Sequence, residues 1–331
     1  MAACRRCSGA RSSPRACVAF VLLIFFTCGT AFAIRWSGKD SYSTAAALLY
    51  VDLFKIAVCL LYHRAAEQSW RVLFGIPWRT AFVPACLFTL QTQLLLFAGR
   101  SLDTFAYVSI NQLKVVPTAI FSYSLIEGRK YSLQQIASLF LLTAGVTLVV
   151  TGVPRTGGAS GAPALALAAM GAASISSGYA SVLVEMMLKG ANAELATLNI
   201  QLSACSVAVA LPQVVVLCLS TESLSAFTSL HKYAWLVVVL QAAGGILVSL
   251  VVKHTSQVMK AFATAFAVVL TFLIDLALHN VAPASLGATI CGVAAVALSF
   301  LLYSGFVDCP SPELAIFSTL LVLLSWNGLT S

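Results

Sequence analysis

The chain has 331 residues, of which 60% are hydrophobic and only 9% charged, and its formal net charge is +8. Soluble domains carry about 25% charged residues. This much apolar surface has no water-soluble arrangement, so the composition excludes a soluble enzyme or a nucleic-acid-binding domain and predicts an all-α integral membrane protein. The basic residues fall mostly in short stretches between apolar runs, where they report orientation and not a basic binding face.

In chain order, a basic tail over 1–16 precedes the first apolar run, 17–35. Arg5, Arg6, Arg11 and Arg15 followed by small residues at Ala31 and Ala33 resemble a secretory leader. A run of about 20 residues is long enough to span, however, and many spans follow, so it reads as an uncleaved helix. Further runs lie near 43–62, 80–99, 104–125, 133–152, 162–187, 195–219, 233–252, 257–279 and 282–304, which makes ten helices. Segment 313–325 is apolar but short and reads as interfacial.

Twelve of the 19 Lys and Arg residues fall on the side of the N-terminus, five on the other, and Lys55 and Lys114 lie within spans. This bias places both termini in the cytosol. The stretch 153–163 is rich in Gly and Pro and reads as a lumenal linker. It divides a first repeat, 17–152, from a second, 164–304, with a C-terminal tail over 305–331. Five spans per half make a duplication an inverted repeat.

A related phrase recurs across the halves. Lys114 is followed at plus four and plus five by Thr118-Ala119, and Lys260 by Thr264-Ala265. Lys114 lies about ten residues into its span, roughly 15 Å deep at 1.5 Å per residue, too deep for easy snorkelling. An intramembrane cation is expensive unless it meets a wet cavity or a partner. The pair therefore suggests one anion held by both halves of a carrier, with Lys260, nearer a span end, the weaker candidate. Tyr107 lies two turns before Lys114 on the same face. Pro117 removes a backbone donor and crowds the carbonyl four residues earlier, predicting a disturbed helix beside the Lys.

Other polar residues carry two readings. Thr92 and Gln93 in the third span, and Asn199 and Gln201 in the seventh, suit either interhelical hydrogen bonds or contacts to a base or sugar. Ser174, Ser176, Ser177 and Gly178 favour close helix packing, as do Gly244 and Gly245. Asp52 with Lys55, and Glu185 with Lys189, are spaced for ion pairs within one helix. Cys59, Cys86, Cys205, Cys218 and Cys291 sit in apolar spans and read as small hydrophobes. Cys4 and Cys7 form a CxxC without a second ligand pair, so no metal or other cofactor is expected. Palmitoylation suits Cys4, Cys7 or Cys17. The chain contains no HExxH, P-loop or GxSxG pattern, so a non-enzyme is expected.

Three stretches carry a resemblance: LQTQLLLFAGRSLDTFAYVSINQLKVVPTAIFS (90–122), SISSGYASVLVEMMLKG (174–190) with Asn199-Ile-Gln201, and LQAAGGILVSLVVKHTSQVMKAFATAFAVVL (240–270). The chain resembles the nucleotide-sugar transporters of the drug/metabolite transporter superfamily, in the branch carrying UDP-galactose, UDP-N-acetylglucosamine and CMP-sialic acid. The resemblance implies a ten-helix, five-plus-five inverted repeat in the Golgi membrane, or alternatively that of the endoplasmic reticulum. It also implies exchange of a cytosolic nucleotide sugar, foremost a UDP-sugar, for a lumenal nucleoside monophosphate. Implied partners are these nucleotides and the lipid bilayer, not nucleic acid, with a homodimer left open.

The positions matching the family's nucleotide contacts are Lys114, Lys260, Tyr107 and Asn199, joined by Thr92, Gln93 and Ser177. The chain departs from the family pattern at Thr92 and Gln93, where many members have paired Asn, at Ser203, where many have Tyr, and at Ser256, where many have Asp. These departures leave the cargo open. The alternative functions are a carrier of another phosphorylated metabolite and a non-transporting membrane scaffold.

Overall fold

The structure is a computed structural model that describes residues 14–37, 44–67, 77–99, 102, 107, 110–151, 164–190, 194–220, 232–279 and 286–304. The expectations placed on the N-terminal tail before residue 14, on the linker 153–163 and on the tail 305–331 lie outside these residues.

The described residues form ten α-helices and no strand: α1 (Pro14–Ser37), α2 (Thr44–Ala65), α3 (Trp78–Gly99), α4 (Val115–Leu125), α5 (Leu133–Thr151), α6 (Ala164–Gly190), α7 (Leu195–Ser220), α8 (Lys232–His254), α9 (Gln257–His279) and α10 (Leu286–Ser304). Nine of these are long and apolar enough to cross a membrane. In hydrocarbon every backbone N–H and C=O must find a partner within the protein, which a helix provides along its whole length. The chain is a multi-pass membrane protein.

The exception is instructive. In the fourth apolar run, expected as one helix over 104–125, the described residues include a regular helix of 11 residues, Val115–Leu125. Ile110–Gln112 are helical, and a turn at Leu113 and Lys114 separates them from α4. Pro117 has no N–H to give the Leu113 carbonyl. That carbonyl instead accepts from Val116 N at 3.0 Å, and Leu113 N bonds Ile110 O at 3.0 Å, both tight i to i+3 bonds. Regular helix resumes where Thr118 N reaches Lys114 O at 3.2 Å.

The helices fall into two compact units. The first takes residues 1–78 and 187–264, the second 79–186 and 265–331, so each draws helices from both halves of the sequence. In the first unit α1 packs on α8, and α2 packs on α7 and α8. Ala19 and Leu23 of α1 bury against Val251 and Ala263. Ala47 and Val51 of α2 meet Val238 and Ala242 of α8, and Cys59 meets Ala196 and Ile200 of α7.

In the second unit α5 and α10 run antiparallel at near backbone contact. Gln134 Nε2 donates to Leu302 O at one end (3.4 Å), and Gly145 faces Gly292 further along. A Cβ built on Gly145 would lie 3.0 Å from Gly292 O, and one on Gly292 would lie 2.8 Å from Gly145 O and 2.7 Å from Val149 N. The approach is reciprocal and leaves no space for a side chain, a small-residue contact typical of membrane helices.

Candidate functional site

In the second unit, Lys114 occupies the break before α4. Its backbone is right-handed helical, at φ −55° and ψ −20°. Its carbonyl accepts twice, from Thr118 N at 3.2 Å and from Thr118 Oγ1 at 2.8 Å. Its side chain is half-buried, and its ammonium makes no hydrogen bond or ion pair to any described residue. A cation in an apolar span with an unengaged head group is poised for an anion.

The helix that begins at this break is fixed along α6. A Cβ on Gly178 would lie 2.8 Å from Thr118 N and 3.0 Å from Pro117 C, so only glycine admits the approach. One turn further, Phe121 meets Tyr179 edge-on, with ring centroids 5.2 Å apart. Ser176 returns its hydroxyl to Ala172 O at 2.9 Å, and Ser177 is buried beside Gly178. The small-residue patch therefore packs helices at Gly178, and it brings Ser177 next in sequence to the residue touching the Lys114 break.

The far end of α4 is held by charge. Arg129, in the connection to α5, donates from Nη2 to Glu185 Oε1 of α6 at 2.7 Å and from Nη1 to Ser122 Oγ at 2.5 Å. Tyr131 adds a bond to Ser122 Oγ at 3.1 Å. Burial pulls the Arg129 guanidinium down, but the Glu185 bond and charge outweigh it and hold the group above its ordinary value. The Glu185 side chain is fully buried, and a buried carboxylate without a cation would be strongly destabilising.

Sequence spacing points Glu185 to Lys189, and the structure adds Arg129 as a partner of the carboxylate from 56 residues away. Helical spacing favours the nearest cation, and the loop carries Arg129 to the carboxylate as well. Lys189 donates to the Thr255 carbonyl.

The other second-unit candidates are more dispersed. Tyr107 is half-buried against a cluster of Ala98, Leu102, Ala166, Ala169 and Met170. Thr92 returns its hydroxyl to Phe88 O at 2.8 Å, which leaves it able only to accept from a ligand. Gln93, its neighbour, is exposed.

In the first unit, α8 and α9 join through Thr255 and Ser256 alone. Ser256 caps α9 by accepting from Met259 N at 3.3 Å, as N-cap serines do. Lys260 follows in the first turn, its N–H bonded to Ser256 O at 3.2 Å and its carbonyl accepting from Thr264 Oγ1 at 2.9 Å. A helix N-terminus favours negative charge, so a cation there gains by meeting an anion.

Asn199 sits in α7, its amide largely committed. Nδ2 donates to Leu195 O at 2.8 Å, and Oδ1 accepts from Ser249 Oγ of α8 at 3.0 Å. Ser249 was not singled out from sequence, because one serine in an apolar span carries no signal of its partner. Beside it, Lys55 Nζ bonds Asp52 Oδ1 at 3.2 Å, as their spacing predicts. The Lys55 stem lies where a Gly245 Cβ would come within 2.7 Å of Cε. Gly245 thus makes room for an intramembrane ion pair one turn from Ser249.

Comparison with known proteins decides the family. A family profile described as nucleotide-sugar transporter matches residues 12–304. The chain belongs to the nucleotide-sugar transporter family. It is 31% identical over 290 residues to the UDP-N-acetylglucosamine/UDP-N-acetylgalactosamine transporter nstp-4 of Caenorhabditis elegans, covering 78% of this chain and 85% of that protein. It is 30% identical to the UDP-N-acetylglucosamine transporter of Homo sapiens, with 78% and 86% covered. It is 34% identical to the UDP-galactose translocator of Mus musculus, with 80% and 72% covered. A protein of known crystal structure shares the fold at a TM-score of 0.66 and 18% identity, over 87% of this chain and 95% of that one.

Proposed function

We propose that this transporter exchanges a cytosolic nucleotide sugar, a UDP-sugar foremost, for a lumenal nucleoside monophosphate by alternating access in the Golgi membrane. Lys114 and Lys260 contact the phosphates that both nucleotides share. Lys suits this as a compact charge with rotatable donors. Tyr107 and Asn199 orient the base or ribose, Gln93 with its neighbour Thr92 lies nearer the sugar, and Ser177 is a further nucleotide contact. The two runs of five helices about the linker 153–163 form the inverted repeat that alternating access requires.

The observation that carries this reading is the Lys114 ammonium. It sits at a helix break inside an apolar span and has no partner among the described residues. The relatives named for UDP-N-acetylglucosamine and UDP-galactose favour a UDP-sugar. Binding the monophosphate from the lumen lowers the cost of returning the carrier, which favours exchange over uniport.

The test is exchange in proteoliposomes preloaded with UMP, CMP or GMP against a panel of nucleotide sugars. UMP-loaded vesicles should take up a UDP-sugar fastest. A charge pair at 4 Å is worth about 4 kcal/mol at an effective dielectric of about 20. Lys114→Ala should therefore cut uptake by at least about a hundredfold with normal amounts of protein in the vesicles. Wild-type uptake by that variant removes Lys114 from the site, and uptake indifferent to the preloaded nucleotide removes the exchange.

A further inference from the structure

We infer that Lys189, at the end of α6, is a positioning residue for Lys260. This rests on the reading of Lys260 as a phosphate contact. Lys189 is 66 residues away in sequence from the carbonyl it caps, Thr255 O. That carbonyl lies at the negative end of α8, where a cation is favoured.

The local chain supplies little else. Thr255 completes the last turn of α8, through Thr255 N to Val251 O at 2.8 Å and Thr255 Oγ1 to the same carbonyl at 2.6 Å. Met259 N, which could have continued the ladder back to Thr255 O, is turned to Ser256 Oγ. The Thr255 carbonyl lies in a two-residue joint, and the Lys189 ammonium meets it with a charge-assisted bond.

The next residue in the joint, Ser256, supplies the carbonyl that holds Lys260 N at 3.2 Å. One peptide therefore links the capped carbonyl to the anchor of Lys260. With two residues between α8 and α9, a small rotation at Thr255 swings the first turn of α9 and the ammonium it carries. A lysine at a helix end that merely snorkelled into the interface would carry no such link.

The experiment is a double-mutant cycle on the full-length protein in lipid nanodiscs, read as the dissociation constant for UMP and as the ligand-free melting midpoint. Lys189→Met, which keeps the stem and removes the donor, should weaken UMP binding about five- to twentyfold with the midpoint nearly unchanged. Lys189→Arg should recover most of that loss, and Lys189→Gln, which keeps an uncharged donor, should fall between. In a Lys260→Met background the further effect of Lys189→Met should be less than about twofold.

Equal losses in both backgrounds, or no loss on Lys189→Met or on Lys189→Gln, overturn the inference while leaving Lys260 a ligand. Unchanged UMP binding by Lys260→Met alone overturns the site reading beneath it. If Lys189→Met does not fold, the Gln variant carries the same comparison.

Discussion

The two Lys phrases are written alike and folded differently. Both place a Thr four residues on, and both Thr hydroxyls return to the Lys carbonyl, at 2.8 Å for Thr118 and 2.9 Å for Thr264. That bond says little by itself, because Thr89, Thr143 and Thr271 make the same one within their own helices. The difference sits at plus three. Pro117 breaks the fourth span and leaves Lys114 at the start of a short helix, whereas Ala263 continues α9 unbroken and leaves Lys260 in its first turn. One phrase reaches a helix start through proline in mid-span, the other through a two-residue joint. The common outcome is a Lys beside backbone N–H groups at a helix N-terminus, a surrounding that favours an anion.

Exchanging the plus-three residues breaks this comparison most forcefully. Ala263→Pro removes a donor from the interior of α9 and crowds the Met259 carbonyl, at a position wholly buried with Ala19 and Leu23. It should cost about 3 kcal/mol or more, seen as loss of folded protein in detergent melting. Pro117→Ala gives the Leu113 carbonyl its i+4 partner back and should raise the melting midpoint, since proline is about 3 kcal/mol worse than alanine inside a helix. Exchange should nevertheless fall about tenfold, because a continuous helix moves Lys114 off its terminus. Full exchange by Pro117→Ala would show that the break is incidental to transport.

A milder test concerns how firmly the Lys114 helix is seated. Gly178 and Gly171 lie on one helix, yet a Cβ at Gly178 would meet the backbone of Pro117 and Thr118, and one at Gly171 meets nothing within 4 Å. Gly171→Ala should therefore stabilise by up to about 1 kcal/mol through helix propensity. Gly178→Ala should destabilise by about 1–3 kcal/mol, because backbone atoms cannot move aside as a flexible side chain can. Equal melting shifts for the two would mean that α4 yields at the Lys114 break.

How much of this was legible beforehand follows from the range of each cue. The spans, the disturbance at Pro117 and the Asp52–Lys55 pair depend on neighbours within one or two turns, and local pattern contains them. The bond from Arg129 to Glu185 crosses 56 residues of sequence, and spacing rules necessarily nominate the nearer Lys189. The patch at Ser174–Gly178 reads as a packing surface, but the identity of what it packs against, the Pro117 break, is a tertiary fact. The turn at Leu113 and Lys114 is hidden for a local reason: apolar residues flank it on both sides, and hydropathy does not register where the hydrogen-bond ladder is cut.

The smallest effect, and the finest discrimination, concerns Asn199. Its amide is oriented from two sides, by the Leu195 carbonyl within α7 and by Ser249 Oγ from α8. The Ser249 hydroxyl has one proton and two acceptors in reach, Asn199 Oδ1 at 3.0 Å and Gly245 O at 3.2 Å. The Gly245 carbonyl belongs to a helix that already supplies it an N–H, so the amide has the greater need. Ser249→Ala should leave Asn199 Oδ1 without its donor, at a cost of about 1 kcal/mol. If Asn199 reads the base or ribose, UMP binding should weaken about two- to fivefold with expression unchanged. Asn199→Ala should weaken it further, and adding Ser249→Ala to Asn199→Ala should then change nothing, since the serine acts only through the amide. Additive losses would instead place Ser249 itself against the ligand. Loss in Asn199→Ala with none in Ser249→Ala would mean that the Leu195 bond alone sets the amide.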